Sequence, residues 1–156
     1  MLFEAALSVS HERTLRAMGA EDPPGDVYAA MRVVYPACFA TMIAENWIRG
    51  AELTTLAAIG LLVFCVAKAL KYWAIHTLGP RWTFRVLVPP GSARTLSGPY
   101  RYMRHPNYAA VAGELGGFAL LATALWSGLA SLLGFGWLLL ARIRVEERAL
   151  GTETGP

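Results

Sequence analysis

The residues with the most chemical potential lie in the run Ser97-Gly98-Pro99-Tyr100-Arg101-Tyr102-Met103-Arg104-His105-Pro106-Asn107-Tyr108, where cations alternate with aromatics just before a long apolar segment. Gly98-Pro99 reads as a turn, and Pro106 suits the first position of a helix, where its missing N–H would be unpaired anyway. His105 then stands at the cap. A helix N-terminus carries partial positive charge and free N–H groups, so this corner can receive an anion such as a carboxylate. The competing reading is a juxtamembrane basic segment held near lipid headgroups.

A second group follows some forty residues later. Arg142 and Glu146 stand at i, i+4, with Arg144, Glu147 and Arg148 beside them. A solvated helix end is the default reading of such a cluster, because exposed pairs contribute little to stability. Yet this end returns to the side of the Arg104-His105-Pro106 corner, so carboxylates, an arginine, a histidine and the tyrosines would meet at one bilayer surface. A sulfonium cofactor suits that set. Aromatic faces favour its positive sulfur, a carboxylate its ribose hydroxyls or amine, and a helix N-terminus its amino-acid carboxylate.

Glu114 is the remaining candidate, about two turns into a helix that otherwise reads apolar. An ionised carboxylate there is disfavoured by roughly 2.5–3.5 kcal/mol on insertion scales, so it needs a partner or a polar cavity. Asn107, Val111 and Glu114 share a face at i, i+4, i+7, which points Glu114 back toward the basic loop; the structural alternative pairs it with a residue such as Arg32. Gly113 and Gly117, and Gly134-Phe135-Gly136, read as helix-packing positions rather than phosphate loops. Cys38 and Cys65 sit in apolar blocks as small hydrophobes, and no metal-ligating Cys/His spacing occurs.

These residues need elements to hold them, and the composition says which. Of 156 residues, 55% are hydrophobic and only 16% charged, against roughly 25% charged in soluble chains. The apolar residues fall in blocks, which indicates an all-α polytopic membrane bundle forming a single domain over 1–156. Met1 to Ser10 predicts a short first helix, and Glu21-Asp22-Pro23-Pro24-Gly25-Asp26 a linker, with Asp26 as the next N-cap. Val27 to Ile48 and Leu53 to Leu70 predict a helical hairpin closed at Arg49-Gly50-Ala51-Glu52, with Lys68 snorkelling at its end. From Lys71 to Tyr108 there are six Lys and Arg and no acid, which places that loop in the cytoplasm and explains the basic excess without nucleic acid. The loop reads as ordered, with Trp82 to Val88 extended. Ala109 to Ile143 is too long for one span. Trp126-Ser127-Gly128 predicts a turn between helices Pro106 to Leu125 and Leu129 to Glu147. The total is about five transmembrane helices, the first short.

The run Gly98 to Tyr108, a helical hairpin, and then Arg142-x-x-x-Glu146-Glu147 resembles the integral-membrane isoprenylcysteine carboxyl methyltransferase family. The likeness extends back through Lys71-Tyr72-Trp73-Ala74-Ile75 and Leu78-Gly79-Pro80-Arg81-Trp82-Thr83, which look like its small bacterial members, so that 71–150 carries the motifs. The resemblance implies that Tyr100, His105, Pro106, Asn107, Tyr108 and Glu146, with Glu147 beside it, bind S-adenosylmethionine, that Arg94 and Thr95 close over it, and that Arg142 faces the methyl acceptor. An acceptor that is already ionised needs no dedicated base, whereas a weakly acidic one would need His105 or Glu114 as general base. The acceptor implied is a lipid-like molecule entering from the bilayer: a prenylcysteine carboxylate, or the hydroxyl of an alkylpyrone or phenolic lipid. The expected location is a bacterial inner membrane with the site facing the cytoplasm. Two other readings compete, an NADPH-dependent membrane reductase of the sterol-reductase kind and a non-catalytic lipid-binding scaffold. Paired glutamates favour the methyltransferase over both, because carboxylates repel a dinucleotide phosphate or an anionic headgroup. The oligomeric state is left open.

Overall fold

The computed structural model describes residues 2–50, 52, 54–90 and 95–153. They form five α-helices: α1 (Leu2–Ala17), α2 (Tyr28–Arg49), α3 (Thr55–Leu78), α4 (Pro106–Leu121) and α5 (Leu125–Glu153). Short 3-10 turns at Gly79–Arg81 and Gly98–Arg101 punctuate the long connection between α3 and α4. No strand occurs among the described residues. The segment Trp82 to Val88, expected to be extended, contributes an isolated bridge between Glu21 and Val88.

Local chemistry sets the helix limits. Asp26 Oδ1 accepts from Tyr28 N at 3.1 Å at the start of α2, and Gly50, at φ 55, turns the chain out of it while its N–H closes on Asn46 and Trp47 carbonyls. Only a residue free of a Cβ takes that left-handed conformation at little cost. The break between the last two helices falls at Ala122–Ala124, four residues before the Trp126-Ser127-Gly128 turn expected from sequence. Glu45 of α2 is the reason: its carboxylate accepts from Ser127 N at 2.7 Å and Ser127 Oγ at 2.6 Å, so Trp126 and Ser127 serve as a capped first turn of α5. Asn46 Nδ2 secures the preceding carbonyl of Ala122 at 2.7 Å. Gly128 is a packing residue, since a Cβ there would stand 2.4 Å from Ala119 Cβ.

Helices α3 and α4 pack closely. A Cβ on Gly60 would meet Leu121 N at 2.4 Å, and one on Gly117 would meet Phe64 N at 2.6 Å, so bare backbones face each other. Gly134 and Gly136 have nothing within 4 Å of an added Cβ, and only Phe135 between them packs. The core of Cys38, Met42, Val111, Leu115, Ala119, Ala124, Phe135 and Leu139 lies between α2, α4 and α5. Two helices, over Thr55–Arg81 and Leu125–Ala149, are long and apolar enough to cross a membrane. Their outer faces carry exposed Leu62, Val66, Leu133, Trp137 and Leu140, which suits hydrocarbon rather than water.

Helix α3 continues to Leu78, eight residues past the end expected from sequence, because buried carboxylates compensate its lysines. Lys68 does not snorkel outward. Its Nζ stands 3.5 Å from Glu4 Oε1 and 3.3 Å from Glu114 Oε1. Lys71, expected in the cytoplasmic loop, is buried in the bundle with Nζ 2.9 Å from Glu4 Oε2.

Candidate active site

At the mouth of the bundle, the 3-10 turn Gly98–Arg101 and the N-terminus of α4 face the last turns of α5 across a polar cleft of about 150 Å³. Thr95, Tyr100, His105, Asn107, Tyr108, Arg142 and Glu146 all line it. Pro106 occupies the first position of α4, fully buried beneath the cleft. His105 stands at the N-cap but makes no side-chain capping bond. Its ring stacks on Tyr108 instead, with centroids 5.4 Å apart and planes 20° from parallel.

The polar contacts form a chain across the cleft floor. Arg142 Nε donates to the Tyr108 hydroxyl at 2.9 Å, and that hydroxyl donates to Glu146 Oε2 at 2.6 Å. His105 Nδ1 lies 3.8 Å from Glu146 Oε2, and its Nε2 lies 3.4 Å from Glu147 Oε1. Asp26, expected only as a helix cap, also stands 3.6 Å from an Arg142 Nη and is nearly as buried as its partner. Asn107 Oδ1 is buried with no hydrogen-bond partner. A buried acceptor left bare is costly, so its presence beside a cleft marks a place for a ligand donor. Burial, with the negative charge of Glu146 adding, pushes the Tyr100 phenol well above its ordinary range. It stays neutral and a donor at physiological pH.

A second cavity of about 250 Å³ lies directly behind, toward the bundle interior. Ala5, Met31, Pro36, Phe84, Val111, Phe135 and Leu139 make most of it apolar. Thr83, Asn107, Tyr108 and Arg142 line both spaces, so Arg142 and Tyr108 form a shared wall.

The segment Thr83 to Pro89 roofs the cleft and is pinned by α1. Phe84 N donates to Ser8 Oγ at 2.8 Å, His11 Nδ1 donates to the Trp82 carbonyl at 2.8 Å, and Arg85 reaches Glu12 at 3.5 Å and Asp22 at 3.4 Å. The Arg85 guanidinium also covers the Tyr28 ring at 4.7 Å.

Besides Pro106, two residues singled out from sequence line neither space. Glu147 is on the outer rim, facing His105 and Arg104 rather than the cleft. Glu114 is fully buried and lines neither cavity. The Tyr35 hydroxyl donates to it, and Lys68 and Lys71 stand at 3.3 Å and 3.5 Å; Arg32, the partner suggested from sequence, is not among them. Arg94 lies outside the described residues. Sequence reasoning missed Glu4, Tyr35 and Lys71 as cavity-lining groups and Asp26 as the partner of Arg142. Glu4 could have been found, since the logic applied to Glu114, a carboxylate within an apolar helix, applies to it equally.

The described residues thus form an all-helical bundle with lipid-suited faces, opening onto a polar cleft backed by an apolar cavity. The chain belongs to the isoprenylcysteine carboxyl methyltransferase (ICMT) family, whose model matches residues 58–152, and it is therefore an integral membrane protein of a methyltransferase family. It is 30% identical over 155 residues to the uncharacterized protein YpbQ of Bacillus subtilis, covering 94% of this chain and 88% of that one. An uncharacterized protein of Haemophilus influenzae is 27% identical over 149 residues, covering 95% of this chain and 87% of the relative. No solved structure matches the chain.

Proposed function

We propose that the protein is an S-adenosylmethionine-dependent O-methyltransferase whose acceptor is a lipid-like molecule entering from the bilayer of a bacterial inner membrane, with the site open to the cytoplasm. The observation that carries this reading is the shared wall: Arg142 and Tyr108 separate a polar, aromatic cleft from an apolar cavity. A charged nucleotide-like cofactor suits the first space and a hydrocarbon chain the second. The two reactants would meet at the wall.

The residues present fit S-adenosylmethionine. When bound, it supplies a methyl group already activated by a positive sulfur. Tyr100, His105 and Tyr108 offer aromatic faces to that charge. Glu146 accepts from hydroxyl or amine donors, the bare Asn107 Oδ1 takes a further donor, and the N-terminus of α4 beginning at Pro106 receives a carboxylate. Thr95 lines the cleft, and Glu147 holds the outer nitrogen of His105. No strong base is required for an acceptor that is already ionised. Arg142, oriented by Asp26 and Tyr108, retains further guanidinium donors to orient an anionic acceptor oxygen and keep it ionised. Glu114 is sealed behind Tyr35 and Lys71 and serves as a positioning residue rather than as the base.

Calorimetric titration of the purified protein with S-adenosylmethionine and with NADPH tests the reading. Saturable binding of the first alone is expected. Binding of NADPH alone would replace it with a reductase, and binding of neither with a lipid-binding scaffold.

A further inference from the structure

We propose that Glu4 and Lys71, flanked by Tyr35, form a second polar subsite inside the acceptor cavity, and that the acceptor carries there a hydroxyl or amide-like group distinct from the oxygen that is methylated. This inference rests on the methyltransferase reading for the identity of the cavity, and on the cavity's own walls for the subsite.

Glu4, Tyr35 and Lys71 all line the apolar cavity behind Arg142. They are held from several sides. Lys71 Nζ hydrogen-bonds Glu4 Oε2 at 2.9 Å, stands 3.5 Å from Glu114 Oε1 and lies 5.6 Å from the Tyr35 ring centroid. Tyr35 in turn donates to Glu114. With Lys68 at 3.3 Å from Glu114, the cluster has two cations and two carboxylates, and its formal charge cancels. Only a neutral guest is matched by a neutral site. A charged one would meet no unbalanced charge within this cluster, in contrast to an anion at Arg142.

Two details separate a subsite from a purely structural staple. Glu4 Oε1 is buried and accepts no hydrogen bond, its ion-pair partner Lys68 Nζ standing at 3.5 Å, so a donor arriving through the cavity would add a hydrogen bond there without breaking one. The pair also borders open space of about 250 Å³, in which a plain alkyl chain would leave these polar groups desolvated and unanswered. A chain carrying a hydroxyl or amide answers both: it donates to Glu4 and accepts from Lys71.

The placement sets a ruler. Asn107 is at the shared wall, and Glu114, which contacts both Tyr35 and Lys71, lies seven residues along the same helix, about 10 Å deeper at the helical rise. Because the Glu114 side chain leans toward the helix N-terminus, the second subsite sits between one and two turns below Arg142. The acceptor is thus polar at two points joined by an apolar stretch that crosses Val111, Phe135 and Leu139.

Binding rather than turnover is the primary readout, measured by thermal stabilisation of the detergent-solubilised protein. The probes are p-nonylphenol and the same molecule with a hydroxyl on its nonyl chain. They are compared on the wild type and on the charge-neutral double variant Glu4→Leu with Lys71→Met, which avoids stranding one buried charge. The ratio between the two proteins cancels any difference in micelle partitioning. The wild type is expected to favour the hydroxylated probe by at least about tenfold relative to the double variant, since a site built for a hydrogen bond discriminates against the analogue lacking it. An equal ratio in both proteins overturns the subsite. If the double variant does not fold, a second charge-neutral pair, Glu4→Met with Lys71→Leu, replaces it, with the same two outcomes. Calorimetry with S-adenosylmethionine on the same samples keeps the two proposals apart: loss of cofactor binding in the wild type defeats the methyltransferase reading, while the probe ratio alone decides the subsite.

Discussion

The Tyr108 hydroxyl accepts a hydrogen bond from Arg142 Nε at 2.9 Å. Because the same hydroxyl donates to Glu146 Oε2 at 2.6 Å, the arginine proposed to face the acceptor and the carboxylate proposed to face the cofactor are joined through one phenol. Helix α4 supplies the phenol and α5 supplies both charges, at i and i+4. The cleft is therefore assembled by docking two helices whose packing depends on glycines far below it.

Glu146→Gln is expected to weaken S-adenosylmethionine binding while the protein stays folded. A hydrogen bond to a charged group contributes about 1.5–3 kcal/mol, or roughly one to two powers of ten in affinity. Calorimetry on the variant measures it directly. Unchanged affinity would reduce Glu146 to a half-exposed helix end.

Much of this site was legible because its residues cluster in sequence or stand one helical turn apart. Tyr100 to Tyr108 form one run, and Arg142 with Glu146 one turn, so spacing alone brought each group together. What sequence could not convey was depth. Lys71 reads as the first cation of a basic loop, yet it is buried, because Glu4, remote in the chain, meets it inside the bundle. The final turn was misplaced for the same reason: Gly128 looks like a turn residue until α4 is packed against it, and the cap on α5 comes from Glu45 in another helix. Pairings between distant segments have no local signature.

Alkaline pH should destabilise the folded protein through Tyr100. Burial first, and then the charge of Glu146, raise its phenol above the ordinary value of 10.0. Below that value the phenol is neutral in folded and unfolded chains alike. Above it the unfolded chain ionises while the folded one resists, so stability falls as pH rises. Thermal unfolding followed between about pH 8 and pH 11 should show this slope, flattened in Tyr100→Phe. An identical slope in the variant would assign the alkaline loss to other groups.

Gly117→Ala should loosen the bundle. The added methyl would lie 2.6 Å from Phe64 N and 2.9 Å from the Gly60 carbonyl oxygen, backbone atoms that cannot swing aside. Overpacking of this kind costs about 1–3 kcal/mol. Gly134→Ala, where nothing lies within 4 Å, is the control. Equal melting temperatures for the two variants would refute the close α3–α4 contact.

Sidedness can be read at two exposed positions, Tyr102 beside the cleft and Trp126 at the opposite turn. In a Cys65→Ala background, cysteine at Trp126 should react with an impermeant reagent from outside intact cells. Cysteine at Tyr102 should react only after the membrane is opened. The reverse pattern would place the site outside the cytoplasm.

The decisive substitution is Arg142→Ala. Arg142 is buried, lines both spaces, and is oriented by Tyr108 on one side and by Asp26 at 3.6 Å on the other. Its guanidinium can thus hold an anionic oxygen without itself binding the cofactor's polar groups, which are proposed to fall to Glu146 and Asn107. Removing it should cut turnover on an anionic acceptor by roughly two to three powers of ten, the scale of losing one preorganised charged donor. Cofactor affinity should fall by less than about tenfold, because only the indirect link through Tyr108 is disturbed. Arg142→Lys keeps the charge but loses the planar fork, so it should recover only part of the turnover. Single-turnover kinetics with saturating acceptor, alongside calorimetry for the cofactor, separate the two effects. Full turnover in Arg142→Ala would remove Arg142 from the acceptor side, and an equal loss of cofactor affinity would move it to the other side of the wall.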